Sequence, residues 1–453
     1  MLRPTLPSLL ALTLLAASAG CDGETDPEVV TADEANQEAG PPAVYDEYTV
    51  LFTNPVCKTY RYAEDEVVTS ASGERLLAKP QNAWCSKSDG PASAARPESP
   101  QNKLLTWIDD PATEEIFFAY FTMSNAAVAD AVCRAVEERD VKVTIVLDRE
   151  SDRTRAEQIA ACVPKSGDPE RAPKLLLRAN EGNMGLMHDK LFILDPHGES
   201  PRIVFSSGNM SSGTVLHHEN WHFVKLPGET HFAQAHVCLI EGLVDHATSK
   251  GEFSSFMKSC RAAIPAKEER DLKVFFVPGE GDRAFQFMQK GLRAADRIDV
   301  AAHRLTYKGL LSNLRRRLDA GDAAVRLVVD DDVHWAGQGE IVGGNDANEA
   351  ATVQDLLARG VDARFVETNH GEKLLHHNKF LVMDLPGDQP DMVFTGAGNF
   401  TGSAFSDNFE NFYGITIPAV VDAFKAQYDH LHGDLATAPG DMPTANVMPE
   451  AAP

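Results

Sequence analysis

The feature that most constrains this chain is a short motif that occurs twice. Each copy has a histidine, a lysine two residues later and an aspartate five residues after the lysine; the two sets are His188, Lys190 and Asp195, and His377, Lys379 and Asp384. An apolar run fills the space between lysine and aspartate, which predicts a buried strand. Because side chains alternate across a strand, the histidine and lysine of each copy should project from one face. An imidazole beside a fixed positive charge suits chemistry on an anionic, phosphate-like group.

The two copies lie in matching surroundings. The histidines are 189 residues apart (377 − 188), and the apolar and amphipathic segments around them follow the same order. A small-residue segment ends in Asn209, 21 residues after its histidine (209 − 188), and in Asn399, 22 residues after its own (399 − 377). Glu219 and Glu410 follow after another 10 (219 − 209) and 11 (410 − 399) residues. These intervals indicate an internal duplication of an α/β unit.

Composition and periodicity set the boundaries of the predicted units. We expect two α/β lobes, residues 43–265 and 270–435, each a mixed sheet flanked by helices. Since neither copy of the motif suffices alone, the lobes should pack face to face as a pseudo-dimer. Residues 57–100, which carry many serines, prolines and glycines, are predicted to be a surface insertion in the first lobe. Residues 21–42 and 436–453 are predicted to be a disordered tether and tail.

Residues 1–20 have the pattern of an export signal peptide. A short positive start is followed by the apolar stretch Leu9–Ala17, which is too short to span a bilayer as a permanent helix. Ser18-Ala-Gly-Cys21 resembles the lipobox of bacterial lipoproteins, although that family usually has Leu where Ser18 stands. The resemblance implies lipidation of Cys21 and anchoring to the bacterial cell envelope. The alternative is simple cleavage near Gly20 and a secreted or periplasmic product.

The cysteine content agrees with export. Six cysteines remain when Cys21 is set aside, and none of them forms a CxxC pair: Cys57, Cys85, Cys133, Cys162, Cys238 and Cys260. An even number in an oxidising compartment predicts three disulfides rather than a metal site. Spacing does not choose among the pairings, although a bond between Cys57 and Cys85 would staple the insertion.

The net charge of −25 is strongly acidic. It disfavours non-specific binding to nucleic acid or to an anionic membrane, because both require a basic surface. The one dense basic run, Arg315–Arg317, falls on a predicted outer helix. The acidic run Asp330–Asp332 is interpreted as a solvated strand end rather than a site for a divalent cation. His334 and Trp335 are placed at a Gly-rich loop, residues 336–345, on the surface or at the substrate entrance.

The paired motif resembles that of the phospholipase D superfamily, whose hallmark is two HKD motifs, each followed by a Gly-Ser-x-Asn-like segment. The resemblance covers roughly residues 45–435. Gly396-Ala-Gly-Asn399 has Ala where the family has Ser, and Ser206-Ser-Gly-Asn209 lacks the first glycine. Neither departure removes a histidine, lysine or asparagine. The resemblance implies a fold of two phospholipase D-like lobes and a phosphodiesterase activity.

Phosphodiester chemistry suggests a role for each histidine. One, unprotonated, would attack phosphorus and form a covalent phosphohistidine. The other, protonated, would give its proton to the leaving alcohol and then activate a water molecule. The resemblance favours His188 as the nucleophile and His377 as the acid, and the reverse assignment stays open.

The remaining polar groups of the motif would support the two histidines. The non-bridging oxygens would be held by four side chains: Lys190, Lys379, Asn209 and Asn399. Glu219 and Glu410 would orient the imidazoles through their second nitrogens. Asp195 and Asp384 belong to the motif, but at strand ends they are expected to brace the fold or the histidines.

This mechanism requires no metal and no other cofactor, since cationic and donor groups supply the electrostatics. The other histidines near the motifs lack the spacing of metal ligands and are interpreted as site walls or surface residues: His217, His218, His303, His370 and His376.

Three functions are compatible with the sequence. The first is a phospholipase D that acts at a membrane surface as a monomer with internal pseudo-twofold symmetry. It would release phosphatidic acid and an alcohol, with transfer to another alcohol as a further outcome. The second is a metal-independent endonuclease of the same superfamily, although the acidic charge predicts no stable nucleic-acid partner. The third is a catalytically silent binding lipoprotein, against which the complete polar set in both halves argues.

Overall fold

The two lobes predicted from the duplicated motif are present, each as a mixed sheet flanked by helices. The computed structural model describes residues 40–55, 58–59, 67–69, 75–77, 83–84, 89–179, 184–337, 346–368 and 374–442. Several predicted features therefore lie outside the described residues: the signal peptide, Cys21, Cys57, Cys85, His370, most of the tether and most of the tail.

The first lobe is built on a seven-stranded sheet. The described strands of the whole lobe, including four short ones outside this sheet, are β1 (Glu47–Thr53), β2 (Lys58–Thr59), β3 (Val67–Thr69), β4 (Arg75–Leu77), β5 (Ala83–Trp84), β6 (Glu115–Tyr120), β7 (Lys142–Asp148), β8 (Lys174–Arg178), β9 (Lys190–Leu194), β10 (Arg202–Ser206) and β11 (Glu219–Lys225). The main sheet has the order β1-β11-β10-β9-β6-β7-β8. β6, β7 and β8 are parallel, and the other pairs are antiparallel. β2 pairs with β5 and β3 with β4 inside the predicted insertion.

The second lobe repeats this topology in an eight-stranded sheet. Its strands are β12 (Leu272–Val277), β13 (Arg297–Ala302), β14 (Ala324–Asp330), β15 (Asp362–Val366), β16 (Lys379–Asp384), β17 (Met392–Gly396), β18 (Glu410–Ile415) and β19 (Ala436–Thr437). The order β12-β18-β17-β16-β13-β14-β15 matches the first sheet strand by strand, and β19 adds an edge to β15. The two-lobe prediction is thus confirmed. The segment assigned to the tail begins with an ordered strand, because two of its residues complete this sheet edge.

The helices lie on the outer faces and between the lobes. They are α1 (Asp89–Ala94), α2 (Pro100–Asp109), α3 (Ala126–Arg139), α4 (Thr154–Ala160), α5 (Gly213–Leu216), α6 (His231–Asp245), α7 (Lys250–Ala263), α8 (Gly281–Ala294), α9 (Lys308–Ala320), α10 (Asp332–Gly337), α11 (Asp346–Ala358), α12 (Gly402–Ser406) and α13 (Pro418–His430), with a 3₁₀ turn at Pro169–Arg171 and a π turn at Leu431–Leu435. The start of α7 carries a helix-capping pattern. The side chain of Ser249 caps it by accepting a hydrogen bond from the backbone of Glu252, as in a capping box.

The strands that follow the two histidines are buried on both faces. In β16, Phe380 and Val382 face a hydrophobic core shared by the two lobes. Leu381 and Met383 face the second lobe's own core beneath its helices. β9 alternates in the same way between the shared core and the first lobe's core. Burial on both faces explains why these strands are continuous apolar runs rather than alternating ones.

Aromatic contacts hold the two lobes together. The ring of Phe205 stacks on that of Tyr413 with centroids 3.6 Å apart, and Phe52 meets Phe424 edge-on at 5.1 Å. Each such pair contributes about 0.5–1.5 kcal/mol beyond the burial of its surface. Phe205 lies on β10, next to the motif strand β9, and Tyr413 lies on β18, the strand that begins at Glu410. The packing of the lobes therefore fixes the distance between the two motifs.

Two of the expected disulfides are present, Cys133–Cys162 and Cys238–Cys260. The second joins α6 to α7, which pack against each other. Disulfides are consistent with an exported protein. Among the helices of the described segments, none is both long and apolar enough to cross a membrane.

Candidate active site

Each motif histidine lies just before its strand and is attached to the other lobe by backbone hydrogen bonds. The amide of His188 donates to the carbonyl of Phe409 (2.9 Å), and the amide of Phe409 donates to the carbonyl of Leu186 (2.8 Å). In the other half, the amide of His377 donates to the carbonyl of His218 (3.0 Å), whose own amide donates to Leu375 (2.8 Å). These two short bridges lie at equivalent positions of the two halves and bring the histidines to the lobe interface.

The bridges place each histidine against a glutamate of the opposite lobe. Nδ1 of His188 forms a 2.8 Å hydrogen bond with Oε2 of Glu410. Nδ1 of His377 lies 2.9 Å from Oε1 of Glu219. Both glutamates have 0% of their surface exposed. The sequence predicted a glutamate behind each imidazole, and the structure shows that the pairs are crossed between the lobes.

The two lysines are buried beside the histidines but make different contacts. Nζ of Lys190 lies 3.2 Å from Nδ1 and 3.1 Å from Nε2 of His188, and it donates to that residue's carbonyl at 3.1 Å. Nζ of Lys379 donates to the carbonyls of Ser207 in the other lobe (3.2 Å) and His377 (2.6 Å). The two halves of the site are therefore similar in composition but unequal in detail.

Burial dominates the electrostatics of the site. It lowers the pKa of Lys190 to about 8 against the opposing effect of Glu410, and it raises the pKa of Glu410 to about 8. Burial, followed by the charges of the two lysines, lowers the pKa of His188 well below its usual range. The pKa of His377 is also lowered by burial first, then by Lys379. In the free protein both imidazoles favour the neutral form, and a bound anionic phosphate would shift them toward the protonated form.

Asn209 and Asn399 follow β10 and β17 on loops, and the first of these loops closely approaches Glu219. Within the described residues, the Oδ1 atom of each asparagine is buried and has no hydrogen-bond partner. A Cβ atom on Gly208 would overlap the carboxylate of Glu219, so only glycine fits there. At the position where the first half lacks a family glycine, the hydroxyl of Ser206 instead donates to the carbonyl of Gly208 (2.9 Å). The serine that replaces the family glycine thus forms its hydrogen bond within the loop itself.

Asp195 and Asp384 do not join the other motif residues. Asp195 directly follows β9 and Asp384 ends β16, and five residues of strand from the lysine to the aspartate span roughly 16 Å. Asp195 accepts a hydrogen bond from Arg202 (2.7 Å), and Asp384 pairs with Arg297 (2.8 Å) and Lys425 (2.9 Å). The bracing role of both aspartates stays a prediction, and we leave them out of the proposed chemistry.

The interpretation of Asp330–Asp332 as a solvated strand end is wrong. All three residues are buried, and His334 and Trp335 are buried within α10 rather than on a loop. Oδ2 of Asp330 accepts a hydrogen bond from the amide of His376 (3.1 Å), next to His377. In the first half, Oδ2 of Asp148 accepts one from the amide of Met187 (2.8 Å). These carboxylates are buried because the segments that precede the histidines need acceptors for their backbone amides.

Two further residues complete the site, and sequence reasoning missed their role. Nδ1 of His217 lies 3.1 Å from Oε1 of Glu219. Nδ2 of Asn408 donates to Oε1 of Glu410 at 3.0 Å. Each stands two residues before its glutamate, so the matched interval in the duplication could have identified them as a pair. Their different chemistry had concealed that equivalence.

Comparisons with known proteins agree with this architecture. Residues 291–432 match the family model described as cardiolipin synthase, PLD-like domain. Phosphatidylserine synthase from Haemophilus influenzae is similar in structure, with 13% identity, a TM-score of 0.53, and coverage of 74% of this chain and 84% of that one. Polyphosphate kinase from Porphyromonas gingivalis is similar with 13% identity and a TM-score of 0.48. The match covers 75% of this chain and 47% of the kinase, so this chain spans about half the length of the kinase.

A smaller similar structure is Nuc from Salmonella typhimurium, a phospholipase D family member. It has 20% identity and a TM-score of 0.29, with coverage of 37% of this chain and 96% of its own. A search of curated proteins finds no match. At these identities the structural similarities concern the fold.

Proposed function

We propose that this chain, whose residues 291–432 match a PLD-like domain, is a phospholipase D-type phosphodiesterase. It would hydrolyse the head-group phosphodiester of phospholipids to phosphatidic acid and an alcohol. The observation that carries this proposal is the pair of crossed contacts, His188 with Glu410 and His377 with Glu219, between two buried lysines. Such a set can supply a nucleophile, an acid and stabilisation of phosphate charge around one phosphorus atom.

The first chemical step would transfer the phosphatidyl group to His188. Its Nε2 attacks phosphorus, the bond from phosphorus to the head-group oxygen breaks, and His377 gives a proton to the departing alkoxide. Glu410 accepts a hydrogen bond from Nδ1 of His188 and stabilises the positive charge that the ring gains on phosphorylation. The lysines and the asparagine amides would hold the non-bridging oxygens.

The second step would regenerate the enzyme. His377, now neutral, accepts a proton from a water molecule as that water attacks phosphorus. The bond from phosphorus to Nε2 of His188 then breaks, and phosphatidic acid leaves. A primary alcohol in place of water would give a phosphatidyl alcohol by the same route.

The position of Lys190 supports His188 as the nucleophile. Its ammonium group lies 3.1 Å from Nε2 of His188, where a bare nitrogen can accept a hydrogen bond. A neighbouring positive charge also disfavours the imidazolium form. The described hydrogen bonds of Nζ in Lys379 go to carbonyl oxygens and not to the ring of His377, although the charge of Lys379 also lowers the pKa of that histidine.

Charge supports a phospholipid rather than a nucleic acid as substrate. The one dense basic run is not free to follow a phosphate backbone: Arg317 is buried and donates to the carbonyl of Ala295 (2.6 Å), and Arg315 pairs with Asp355 (2.6 Å). The net charge of −25 adds repulsion. The matched family description and the name of phosphatidylserine synthase both refer to phospholipid chemistry. We extend the proposal to an exported monomer, anchored through Cys21 and acting at a membrane surface.

A paired assay tests this function. The purified chain is incubated with phosphatidylcholine vesicles and with plasmid DNA, and the lipid reaction contains a primary alcohol. We expect phosphatidic acid and the phosphatidyl alcohol, with intact DNA. Cleavage of DNA without lipid turnover would overturn the proposal in favour of a nuclease, and no turnover of either would favour a silent binding protein.

Single replacements test the two-histidine mechanism. His188→Ala and His377→Ala should each abolish lipid turnover, because each histidine has a separate part in both steps. His246→Ala is a matched control: its ring is 39% exposed and pairs with Glu252 away from both motifs. Near-full activity in either motif variant would contradict the mechanism.

A further inference from the structure

The two halves of the site differ in a systematic way. The equivalent lysines pair with Tyr120 and Ala302 in the sheets, and the two short bridges align the residues next to each histidine and glutamate. Four positions around His377 are histidines, whereas their counterparts around His188 are not: His217, His218, His303 and His376 correspond to Asn408, Phe409, Phe121 and Met187. A phosphodiesterase with two symmetric lobes has no evident need for this enrichment on one side.

Three of the side chains on that side converge. Oε1 of Glu219 lies 3.1 Å from Nδ1 of His217 and 2.9 Å from Nδ1 of His377. One ligand atom from each residue lies within 4.8 Å of the others, and the three residues are 7%, 0% and 6% exposed. Within the described segments, Oε2 of Glu219 is buried with no hydrogen-bond partner. Among the described residues, no group therefore donates a hydrogen bond to this oxygen, which could bind a cation.

We propose that His217, Glu219 and His377 bind a Zn²⁺ ion, and that this ion inhibits the enzyme. Two imidazoles and a carboxylate, with water as a fourth ligand, are a familiar zinc set. Zinc–ligand bonds of about 2.0–2.1 Å in a tetrahedron place ligand atoms about 3.3 Å apart, close to the two observed separations.

The other half of the site is a built-in comparison. There the equivalent of His217 is Asn408, whose amide is a poor zinc ligand, so His188 and Glu410 alone cannot complete a set. Zinc binding should therefore be confined to the half that contains His377.

Inhibition follows from the tautomer that zinc imposes. With Nδ1 of His377 bonded to the metal, Nε2 keeps its hydrogen at neutral pH. The ring is then neither an imidazolium that can release a proton to the leaving group nor a base that can accept one from water. This consequence rests on the proposed function, whereas zinc binding itself does not.

The test measures zinc binding and turnover separately. The full chain is stripped with EDTA, and zinc chloride is then partitioned between the protein and a chromogenic chelator of known affinity. We expect one zinc ion per chain and loss of lipid turnover at the same zinc concentration. His217→Asn, which copies the other half, should weaken binding by more than about 100-fold, since loss of even an outer-shell partner costs about 10–100-fold.

The reverse exchange in the other half of the site tests zinc binding independently. Asn408→His supplies the missing imidazole beside Glu410 and should add a second bound zinc ion, while His246→Ala should bind as the parent does. Undiminished binding in a folded His217→Asn variant would place the metal elsewhere, such as Asp330–Asp332, and overturn the proposal. If His217→Asn fails to fold by circular dichroism, Asn408→His decides, and no gain in stoichiometry overturns it. A chain that binds zinc but turns over no lipid would reject the proposed function alone.

Discussion

The crossed histidine–glutamate contacts predict which glutamate serves which part of the reaction. Glu410 supports His188, the proposed nucleophile, and Glu219 supports His377, the proposed acid. Glu410→Gln and Glu219→Gln keep the side-chain size and remove the charge. Their effects should therefore report the electrostatic contribution of each carboxylate to its own step.

The geometry gives the size of the effect. The positive charge that the ring of His188 gains in the transition state favours the carboxylate form of Glu410. Unit charges 2.8 Å apart, the separation of Nδ1 in His188 from Oε2 in Glu410, then attract by about 6 kcal/mol at an effective dielectric constant of about 20. A hydrogen bond to a charged group contributes about 1.5–3 kcal/mol net, because folding also costs desolvation. We take the carboxylate of Glu410 to stabilise the transition state by about 3–5 kcal/mol, so its replacement should lower kcat/KM by about 10²–10⁴-fold.

Two substrates with the same phosphatidyl group separate the roles. Phosphatidylcholine needs a proton for its alkoxide leaving group, whereas phosphatidyl-p-nitrophenol releases a stable phenolate without one. Glu410→Gln should lose activity on both substrates. Glu219→Gln should lose kcat/KM on phosphatidylcholine but recover to within about tenfold of the parent on the nitrophenyl ester. It should also release a burst of one nitrophenolate per chain, since water activation in the second step is impaired.

The reverse pattern would refute the assignment of His188. If Glu219→Gln loses activity on both substrates while Glu410→Gln recovers on the nitrophenyl ester, the nucleophile is His377. If neither variant recovers, the two histidines do not divide the work as proposed. Near-ultraviolet circular dichroism of both variants controls for disruption of the lobe interface.

Three further predictions concern pH, stability and metal. Because burial lowers the pKa of both catalytic histidines, kcat/KM should be bell-shaped with its midpoint below about pH 6.5. The value of kcat/KM falls at lower pH as His188 is protonated and at higher pH as His377 loses its proton. The alkaline limb of the kcat profile should lie at higher pH than that of kcat/KM, because bound phosphate favours the imidazolium form. Alkaline limbs at the same pH in the two profiles would contradict this. Asp384→Asn should lower the free energy of unfolding in urea by about 0.5–1 kcal/mol and leave kcat within about twofold of the parent, because Asp384 forms partly exposed ion pairs. A large loss of kcat at unchanged stability would instead show that Asp384 takes part in the chemistry. EDTA-treated protein should retain full turnover, and a loss that Mg²⁺ restores would instead implicate Asp330–Asp332.

Much of the fold followed from local patterns. The apolar runs after Lys190 and Lys379 predict buried strands, and they form the strands at the centre of each sheet. These segments were predictable because burial on both faces leaves a continuous hydrophobic signal. The repeat of intervals then predicted the two-lobe architecture from the sequence alone.

The errors arose where polar residues are buried. The acidic run 330–332 suggested a solvated strand end, yet it lies in the interior, where Asp330 accepts the amide of His376. A local pattern counts polar residues as exposed, whereas burial depends on which distant backbone donors need an acceptor. Strand β19 was missed for a related reason: two residues in a tail-like composition pair with an edge that only the folded sheet provides.

The sequence by itself determined which groups the site contains: two histidines, two lysines, two asparagines and two glutamates, in two copies of one α/β unit. Only the tertiary structure decided how they are paired. Alternation along a strand sets the face of a side chain but not the strand of the other lobe that it meets. His188 therefore contacts Glu410, 222 residues away, and His377 shares Glu219 with His217, because short backbone bridges between the lobes align those residues.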